Sequence, residues 1–164
     1  MNIIVAMNKA GVIGDNGELP WDIPADLKHF RNLTINSTVV MGRKTFQSLG
    51  GKPLPSRRNI VLSKTLNKDT SGVEVYRGIS DVLDLKLSSV WVIGGVEVYR
   101  QLLPFSNNMH VTWVFDNNVK GDARFPVVKW GEWESMSQVY SDQDPDPDKH
   151  IMFEHFKRTY VQRG

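Results

Sequence analysis

The sequence of 164 residues contains no cysteine. This absence excludes disulfide bridges, thiolate zinc sites, iron–sulfur clusters and cysteine nucleophiles. The four histidines lack the spacing of metal ligands, and neither a Ser-His-Asp arrangement nor a G-x-S-x-G motif is present. We therefore expect no metal site and no serine-hydrolase chemistry, and we expect the protein in the cytoplasm.

Long apolar runs are also missing, since the longest span only a few residues. The sequence therefore contains no candidate transmembrane helix, and residues 1–5 lack the basic and apolar regions of a secretory signal. Apolar residues form 40% of the chain and charged residues 23%, as in ordinary globular proteins. We expect one domain over residues 1–164, no membrane partner, and a core that needs no metal or disulfide.

Acidic residues are absent from residues 43–64, although this segment carries six cations. The rest of the chain carries 14 cations against 18 acids, so a net charge of +2 conceals one polarised segment. Such a segment predicts an anionic partner: a nucleic acid, a membrane surface or a small anionic ligand. Phe46 is its only aromatic residue, whereas base stacking needs aromatic side chains among the cations. A nucleic-acid-binding module is therefore disfavoured.

The acidic loop at residues 142–148 has, superficially, the spacing of a calcium-binding loop. It contains two prolines, its sixth position is not glycine, and its twelfth position is Phe153. These departures disfavour calcium binding.

Short apolar runs bounded by turn residues predict strands at 3–7, 38–41, 59–62, 90–93 and 109–115. Several are apolar on both faces, which is typical of a mostly parallel sheet covered by helices. Helical patterns lie between them at 24–36, at 80–87 with Ser80 as its cap, and at 96–103 before Pro104. Residues 133–140 and 150–157 predict an antiparallel pair. The fold class is α/β with an antiparallel edge.

Residues 11–21 combine three glycines and a proline with four apolar side chains, those of Val12, Ile13, Leu19 and Trp21. Glycine and proline predict a turn-rich surface segment. The apolar residues leave two interpretations open: a plain connection around an Asn-Gly turn, or a loop that packs over a ligand.

Asp26 lies in the first turn of the first predicted helix, where a carboxylate complements the helix dipole. A second interpretation comes from its face, because Asp26, Phe30 and Leu33 have i, i+4 and i+7 spacing. A carboxylate beside an apolar stripe loses hydration, which raises its pKa and suits it to bind a cationic heterocycle. The outward face of the same helix includes Lys28 and His29.

Two segments, 39–45 and 92–96, are each predicted to form a strand, a glycine turn and a helix start. Free N–H groups at such starts bind phosphates, and two of them beside a cationic segment favour a dinucleotide. No P-loop and no G-x-G-x-x-G motif is present, so an ordinary Rossmann dehydrogenase is disfavoured.

Arg57 and Arg58 follow two prolines. Such cations are usually solvated, but a guanidinium that the backbone holds in place can bind a carboxylate.

Seven segments together resemble the dihydrofolate reductases of the bacterial type, colinearly over nearly the whole chain. They are Ile13-Gly14, Leu19-Pro20-Trp21, Pro24 to Leu27 with Phe30, Met41-Gly42-Arg43 with Thr45, Phe46 and Ser48, Pro53-Leu54-Pro55 with Arg57, Val92-Ile93-Gly94-Gly95, and Gly121-Asp122 with Phe125-Pro126. The resemblance implies a central eight-stranded, mostly parallel twisted sheet with an antiparallel C-terminal edge and four flanking helices. Residues 38–87 are expected to form an adenosine-binding subdomain.

The resemblance implies an NADPH-dependent oxidoreductase of one-carbon metabolism and thymidylate synthesis. Hydride passes from nicotinamide C4 to C6 of 7,8-dihydrofolate, with protonation at N5, to give tetrahydrofolate. Diaminopyrimidine and pteridine antifolates are the expected inhibitors, and the expected state is a monomer. A related reductase of riboflavin synthesis shares the fold, but its pocket is not expected to keep Asp26, Phe30 and Arg57.

The resemblance also implies roles for residues around the substrate. Asp26 hydrogen-bonds the 2-amino group and ring nitrogen of the pterin, Thr112 supports Asp26, and the N5 proton arrives by water. Trp21 orders water near the pterin, and Leu19 lies against the nicotinamide on a lid formed by residues 11–21. Arg57 clamps the glutamate α-carboxylate, and the rest of the substrate pocket is formed by Ile4, Val5, Leu27, Phe30, Leu49, Leu54 and Ile93.

For the cofactor, the resemblance implies backbone contacts to the nicotinamide, phosphate-binding cations and a glycine wall with a cis Gly94–Gly95 bond. The expected residues are Ala6, Ile13, Gly14, Gly42, Arg43, Lys44, Thr45, Leu62, Ser63, Lys64, Gly94, Gly95, Val96, Glu97, Val98 and Tyr99. Val96 stands where relatives carry a small residue, and Glu97 where arginine is common. Lys64 is expected to compensate and to keep NADPH preferred over NADH, while Asp122 is expected to pin the closed lid.

Overall fold

The computed structural model describes residues 1–142 and 144–159. Gln143 and the side chain of Asp148, which belong to the acidic loop considered for calcium, lie outside the described residues. Residues 160–164 of the predicted domain do so as well.

An eight-stranded twisted sheet forms the centre of the described chain, as predicted. The strands are β1 (Asn2–Met7), β2 (Val12–Gly14), β3 (Thr38–Gly42), β4 (Arg58–Leu62), β5 (Glu74–Tyr76), β6 (Val90–Gly94), β7 (Asn108–Val114), β8 (Ala123–Arg124), β9 (Trp133–Ser141) and β10 (Ile151–Arg158). The order is β5-β4-β3-β6-β1-β7-β10-β9, with β2 and β8 in a separate antiparallel ribbon. The first six strands of that order pair in parallel, and β10 pairs antiparallel with both β7 and β9.

Four helices cover the two faces of the sheet: α1 (Pro24–Thr34), α2 (Arg43–Ser48), α3 (Ile79–Asp84) and α4 (Val96–Leu102). One face packs against α3 and α4, through residues such as Val82 and Leu102. The other packs against α1 and α2, through Phe30 and Phe46. Because both faces are covered, the central strands are apolar throughout: residues 38–41 of β3 are all buried.

The structure corrects several sequence-based expectations for the helices. Ser80 is not a cap: α3 begins at Ile79 after an extended Gly78, with no side-chain cap. This helix ends at Asp84 rather than Leu87, since Lys86 has a left-handed φ of 49° that a helix cannot continue. Likewise α1 ends at Thr34, before the left-handed Asn36. Pro104 lies inside a 3₁₀ turn, Leu103–Phe105, that follows α4.

His29 was expected on the outward face of α1, and this expectation is wrong. Its ring is half-buried and stacks on Phe153 of β10, with centroids 3.9 Å apart. The three-residue β5 and the β2–β8 ribbon were not predicted, because strands this short have no recognisable alternation. Among the described residues, no helix has the length and apolarity that crossing a membrane requires.

Candidate active site

A cavity of about 1300 Å³ opens along the carboxyl ends of β1, β3, β4 and β6. In an open parallel sheet, ligands bind at this edge because the loops that follow the strands converge there. Residues of α1 and the lid form one side of the cavity, and the start of α4 forms another. The cavity is elongated by this arrangement, since its walls come from both halves of the sheet.

The cavity brings together all but two of the predicted site residues. Its wall includes Ile4, Val5, Ala6, Ile13, Gly14, Leu19, Asp26, Leu27, Phe30, Gly42, Arg43, Lys44, Thr45, Leu49, Leu54, Leu62, Ser63, Lys64, Ile93, Gly94, Gly95, Val96, Glu97, Val98, Tyr99 and Thr112. Trp21 and Arg57 do not line it. Residues so far apart in sequence meet because successive parallel strands end at the same edge.

Burial perturbs the Asp26 carboxylate, which lies in the wall of the cavity. Pro24 begins α1, and Asp26 in the first turn points between the helix and β7. Its Oδ1 accepts a hydrogen bond of 2.7 Å from Thr112 Oγ1. Burial raises the pKa of Asp26 above its ordinary value, and the bond from Thr112 opposes this rise with a smaller effect. The remaining lone pairs of the carboxylate are free to accept bonds from a ligand.

Arg57 lies behind the cavity wall and contacts it through Phe30. Its Nε donates to the Pro55 carbonyl at 2.9 Å and its terminal nitrogen to Thr34 Oγ1 at 3.0 Å. The guanidinium carbon lies 5.9 Å from the centre of the Phe30 ring. Burial and the nearby Arg31 lower the pKa of Arg57. These bonds fix the guanidinium plane beside the apolar end of the cavity.

Arg58, the second arginine after the two prolines, has a different partner. Its guanidinium forms a two-point ion pair with the Glu74 carboxylate, at 2.5 and 2.7 Å. The pair joins β4 to β5 on the exposed surface, where such pairs contribute little to stability. The local sequence pattern did not distinguish the two arginines, since their difference depends on which strand lies beside them. The family resemblance had assigned a role to Arg57 alone.

Trp21, the last residue of the lid, packs against Ile23, Val114 and Ile151. Its indole Nε1 is buried and has no acceptor within the described part of the chain. A buried indole N–H normally has a partner, so this donor is available to a ligand or a water molecule.

Glycine backbone forms the wall of the cavity between β3 and α4. The Gly94–Gly95 peptide bond is cis, and Gly94 has a φ of 119°. A Cβ on Gly94 would lie 3.2 Å from the Tyr99 ring, and one on Gly42 would lie 3.2 Å from Val98 Cγ2. A side chain at either position therefore requires its neighbour to shift by a few tenths of an ångström, and at Gly94 the left-handed φ adds strain. The backbone itself faces the ligand space, together with the first N–H groups of α2 and α4.

Arg77 was missed by the sequence analysis and lines the cationic end of the cavity. Its terminal nitrogen donates to the carbonyls of Ser63, at 2.9 Å, and Leu66, at 2.7 Å. It thereby anchors the loop that carries Lys64. The only available signal was a cation directly after the alternating apolar residues Val73, Val75 and Tyr76, and that stretch was too short to be predicted as a strand.

Glu97 faces the cavity in the first turn of α4, where it forms an ion pair with Arg100. Arg100 also lines the cavity. The Arg100 guanidinium thereby compensates the charge of Glu97 at the cavity wall.

The lid is joined to the rest of the protein by the β2–β8 ribbon. The Asn16 N–H donates to Asp122 Oδ2 at 3.3 Å. Gly121 is packed so tightly against the lid that a Cβ there would lie 2.2 Å from the Gly14 carbonyl oxygen. The lid thus rests on a segment that follows β7 by only a few residues.

In the residues that the structure describes, no group of three histidine or acidic side chains is arranged to bind a metal.

The fold and the cavity define a class: an α/β protein with a large cleft at the carboxyl ends of its parallel strands, whose wall combines glycine turns, a cationic end and a partly buried carboxylate. A family model described as dihydrofolate reductase matches residues 1–158. The chain belongs to the dihydrofolate reductase family.

Individual relatives agree with this assignment. The chain is 39% identical over 139 residues to a dihydrofolate reductase of Staphylococcus aureus strain Mu50, covering 85% of this chain and 86% of the relative. It is 34% identical over 146 residues to that of Bacillus subtilis strain 168, covering 88% and 86%. A solved structure of the Enterococcus faecalis dihydrofolate reductase, complexed with NADP(H) and RAB-propyl, is similar with a TM-score of 0.89 and 34% identity. That match covers 97% of this chain and 96% of the solved chain.

Proposed function

We propose that the protein catalyses the NADPH-dependent reduction of 7,8-dihydrofolate to 5,6,7,8-tetrahydrofolate. One observation carries the proposal beyond family membership: the partly buried Asp26 carboxylate, bonded to Thr112, lies in the wall of the same cavity as the glycine turns and the cations. A heterocycle bound by Asp26 and a cofactor bound by the glycine turns then meet within one enclosed space.

The residues at the cationic end fit NADPH, which supplies the hydride when bound. Arg43, Lys44 and Thr45 begin α2 and are suited to the pyrophosphate and adenosine phosphate, with Gly95 exposing its backbone opposite them. Ser63 and Lys64, on the loop that Arg77 anchors, are suited to the 2′-phosphate. We propose residues 38–87 as the adenosine-binding subdomain of a domain that spans residues 1–164.

At the other end, Asp26 binds the 2-amino group and the adjacent ring nitrogen of the pterin. A carboxylate with a raised pKa, shielded from water, favours a protonated or strongly hydrogen-bonded heterocycle. Water ordered by the free Trp21 N–H delivers the proton to N5, because Asp26 lies on the other edge of the ring. Arg57 uses its remaining N–H groups to bind the glutamate α-carboxylate.

The lid excludes bulk water during hydride transfer. Leu19 on the lid is 52% exposed, and it lies over the part of the cavity that Ile13 and Gly14 border. The contact between Asp122 and Asn16 stabilises this arrangement. A dry site strengthens the electrostatic action of Asp26 on the substrate.

Three further properties belong to the proposal. The protein acts as a monomer, which is supported by the fact that one chain supplies every residue of the cavity wall, and which light scattering on the purified protein tests. It acts in the cytoplasm, which fractionation of the source cells tests. Diaminopyrimidine and pteridine antifolates inhibit it, because their protonated rings pair with Asp26; weak inhibition would indicate a differently shaped pocket.

The decisive experiment measures the loss of NADPH absorbance with dihydrofolate for the wild type and for Asp26→Asn. We expect turnover by the wild type and a loss of about 100-fold or more in the variant, with partial recovery in acid where the substrate is already protonated. Asp81→Asn, an exposed acid on α3, is the matched control and keeps full activity. Folded wild type that oxidises no NADPH with dihydrofolate would refute the proposal. Activity on a ribosylated pyrimidine instead would favour the reductase of riboflavin synthesis.

A further inference from the structure

Two imidazole rings stack on one face of the β7–β10 pair, outside the cavity. His110 of β7 and His155 of β10 are directly opposite in the register of the strands. Their ring centres lie 4.2 Å apart, and the ring planes differ by only 8°. His155 Nε2 lies 2.9 Å from the Asn108 amide oxygen, and the Trp91 ring packs 5.0 Å from His110. Neither ring has a part in the proposed chemistry.

The histidine pair is the next cross-strand pair to the one that supports Asp26. Side chains alternate between the faces of a sheet, so residues two positions along each strand share a face. Two positions from His110 is Thr112, which donates to Asp26, and opposite Thr112 is Phe153. His29 of α1 stacks on Phe153. Thus α1 is attached to this face by two contacts that adjoin the imidazole pair.

The surroundings of the three histidines oppose a positive charge. The neighbouring groups are His29 from α1, Asn108 from β7, Lys157 from β10, Ser137 from β9, Trp91 from β6 and Ile4 from β1. The Asp26 carboxylate of α1 is bonded to Thr112, two positions along β7 from His110. Burial is the main cause that lowers the pKa of His29, His110 and His155.

For His110 the pKa falls to about 4, with His155 and His29 adding to the effect, and Lys157 further lowers that of His155. None of the influences on these three pKa values comes from a carboxylate. The cluster is therefore uncharged near neutral pH.

We propose that His29, His110 and His155 form an acid-sensitive support for the Asp26–Thr112 contact. Uncharged, the rings pack β7, β10 and α1 together. As the pH falls below about 6.5, protonation favours a locally opened state in which the rings are separated and hydrated. In that state β7, β10 and α1 no longer pack together, and Asp26 loses its alignment with the cavity.

The direction of the effect follows from the pKa values. A histidine whose pKa is lower in the folded state than the unfolded value of about 6.5 binds protons preferentially when unfolded. Its contribution destabilises the fold as the pH falls below about 6.5. This destabilisation stops growing once the pH is below the pKa of the histidine in the folded state. For His110 the window therefore extends from about 6.5 down to about 4.

Proton NMR of the histidine ring C–H groups tests the charge state without any substrate. We expect the His110 resonance to titrate well below the ordinary histidine value of about 6.5, because burial and the neighbouring histidines oppose its charge. His150→Gln is the control variant, because His150 lies outside the cluster and contacts the Asp144 carbonyl oxygen at 2.8 Å. In His155→Gln the glutamine keeps a polar contact to Asn108 but removes the second ring, so the pKa of His110 rises. An ordinary pKa for His110 in the wild type, or no change of it in His155→Gln, would refute the proposal.

Urea unfolding at neutral pH and near pH 5 tests the support itself. The contribution of His110 to the unfolding constant grows by at most about tenfold for each unit that the pH falls, because one proton is bound. The partial exposure of His110 makes this contribution smaller. The unfolding constant of the double variant His110→Gln/His155→Gln grows less as the pH falls. That of His150→Gln changes as in the wild type. An acid loss in the double variant equal to that of the wild type would overturn the proposal; should that variant not fold, His155→Gln alone is compared.

The effect on turnover rests on the proposed function and has its own readout. The ratio of kcat/KM near pH 5 to that at neutral pH increases in His155→Gln relative to the wild type, and it does not change in His150→Gln. An unchanged ratio in His155→Gln contradicts the coupling to Asp26, even where NMR supports the charge state. If the protein does not reduce dihydrofolate at all, the NMR and unfolding results still decide the structural part.

Discussion

Replacing Thr112 with valine tests the balance of forces on the Asp26 carboxylate. The Thr112 side chain is 3% exposed, and its hydroxyl donates to Asp26 Oδ1 at 2.7 Å. Valine has nearly the same shape, so the substitution removes a donor without opening a cavity. Burial raises the pKa of Asp26 and this hydrogen bond lowers it. The variant therefore loses the main stabilisation of the charged form that the protein itself provides.

The magnitude follows from the energy of a hydrogen bond to a charged group, about 1.5–3 kcal/mol. At about 1.4 kcal/mol per unit, the pKa of Asp26 rises by a further one to two units, roughly. Because its folded pKa exceeds the unfolded value, Asp26 costs no stability in strong acid and destabilises the fold as the pH rises between the two values. Thr112→Val enlarges that cost, so the variant loses up to about 3 kcal/mol at neutral pH and little in acid.

Carbon NMR of the aspartate carboxyl groups measures the pKa directly, with Asp26→Asn to assign the resonance. Urea unfolding at neutral pH and in acid gives the difference in stability between variant and wild type. Comparing the two proteins at the same pH cancels the contribution of the histidines. Thr38→Val is the matched control, since Thr38 is a buried threonine of β3 that lies outside the cavity wall. If the pKa of Asp26 is the same in Thr112→Val and in Thr38→Val, the hydrogen bond has no part in setting it.

Three further substitutions test other parts of the site. Arg57→Leu raises KM for dihydrofolate by about 10- to 100-fold, the equivalent of one charged hydrogen bond, with less effect on kcat; an unchanged KM means that the glutamate tail binds elsewhere. Arg77→Gln releases the loop of Ser63 and raises KM for NADPH several-fold, but not KM for NADH; equal effects on both cofactors contradict its place at the phosphate. Gly121→Ala forces a Cβ against the Gly14 carbonyl, which costs about 1–3 kcal/mol and lowers turnover, whereas unchanged melting temperature and turnover contradict the close packing.

The long central strands and α1 were predictable because the forces that form them are local in sequence. Four consecutive buried residues in β3 show a strand covered on both faces, and the Pro24 start of α1 is encoded by a residue whose φ already suits a helix. The ends of helices were less predictable. Ser80 has the chemistry of a cap, but α3 begins one residue earlier, because Gly78 adopts the extended conformation before it.

Side-chain partners were predictable only in part. The spacing of Asp26 and Phe30 correctly indicated a carboxylate at the edge of the apolar face of α1, and burial indeed raises its pKa. His29, three residues later, was placed outward, because nothing nearby in the sequence shows that β10 supplies Phe153 beneath it. Arg77 was missed for the same reason, since its acceptors lie more than ten residues earlier in the chain.

The sequence by itself determined the chemical inventory and the fold class. The absence of cysteine, the cationic segment 43–64, the two glycine turns and the single acid beside an apolar stripe were sufficient to favour a phosphate-bearing cofactor and a heterocycle. The tertiary structure decided which cations line that cavity. Arg77 donates to the carbonyl of Ser63, in the loop that carries Lys64, whereas Arg58 pairs with Glu74 on the surface. Arg100 pairs with Glu97 at the cavity wall. The physical reason is that charge and hydropathy are properties of residues, whereas pKa and binding depend on neighbours that only the strand order brings together.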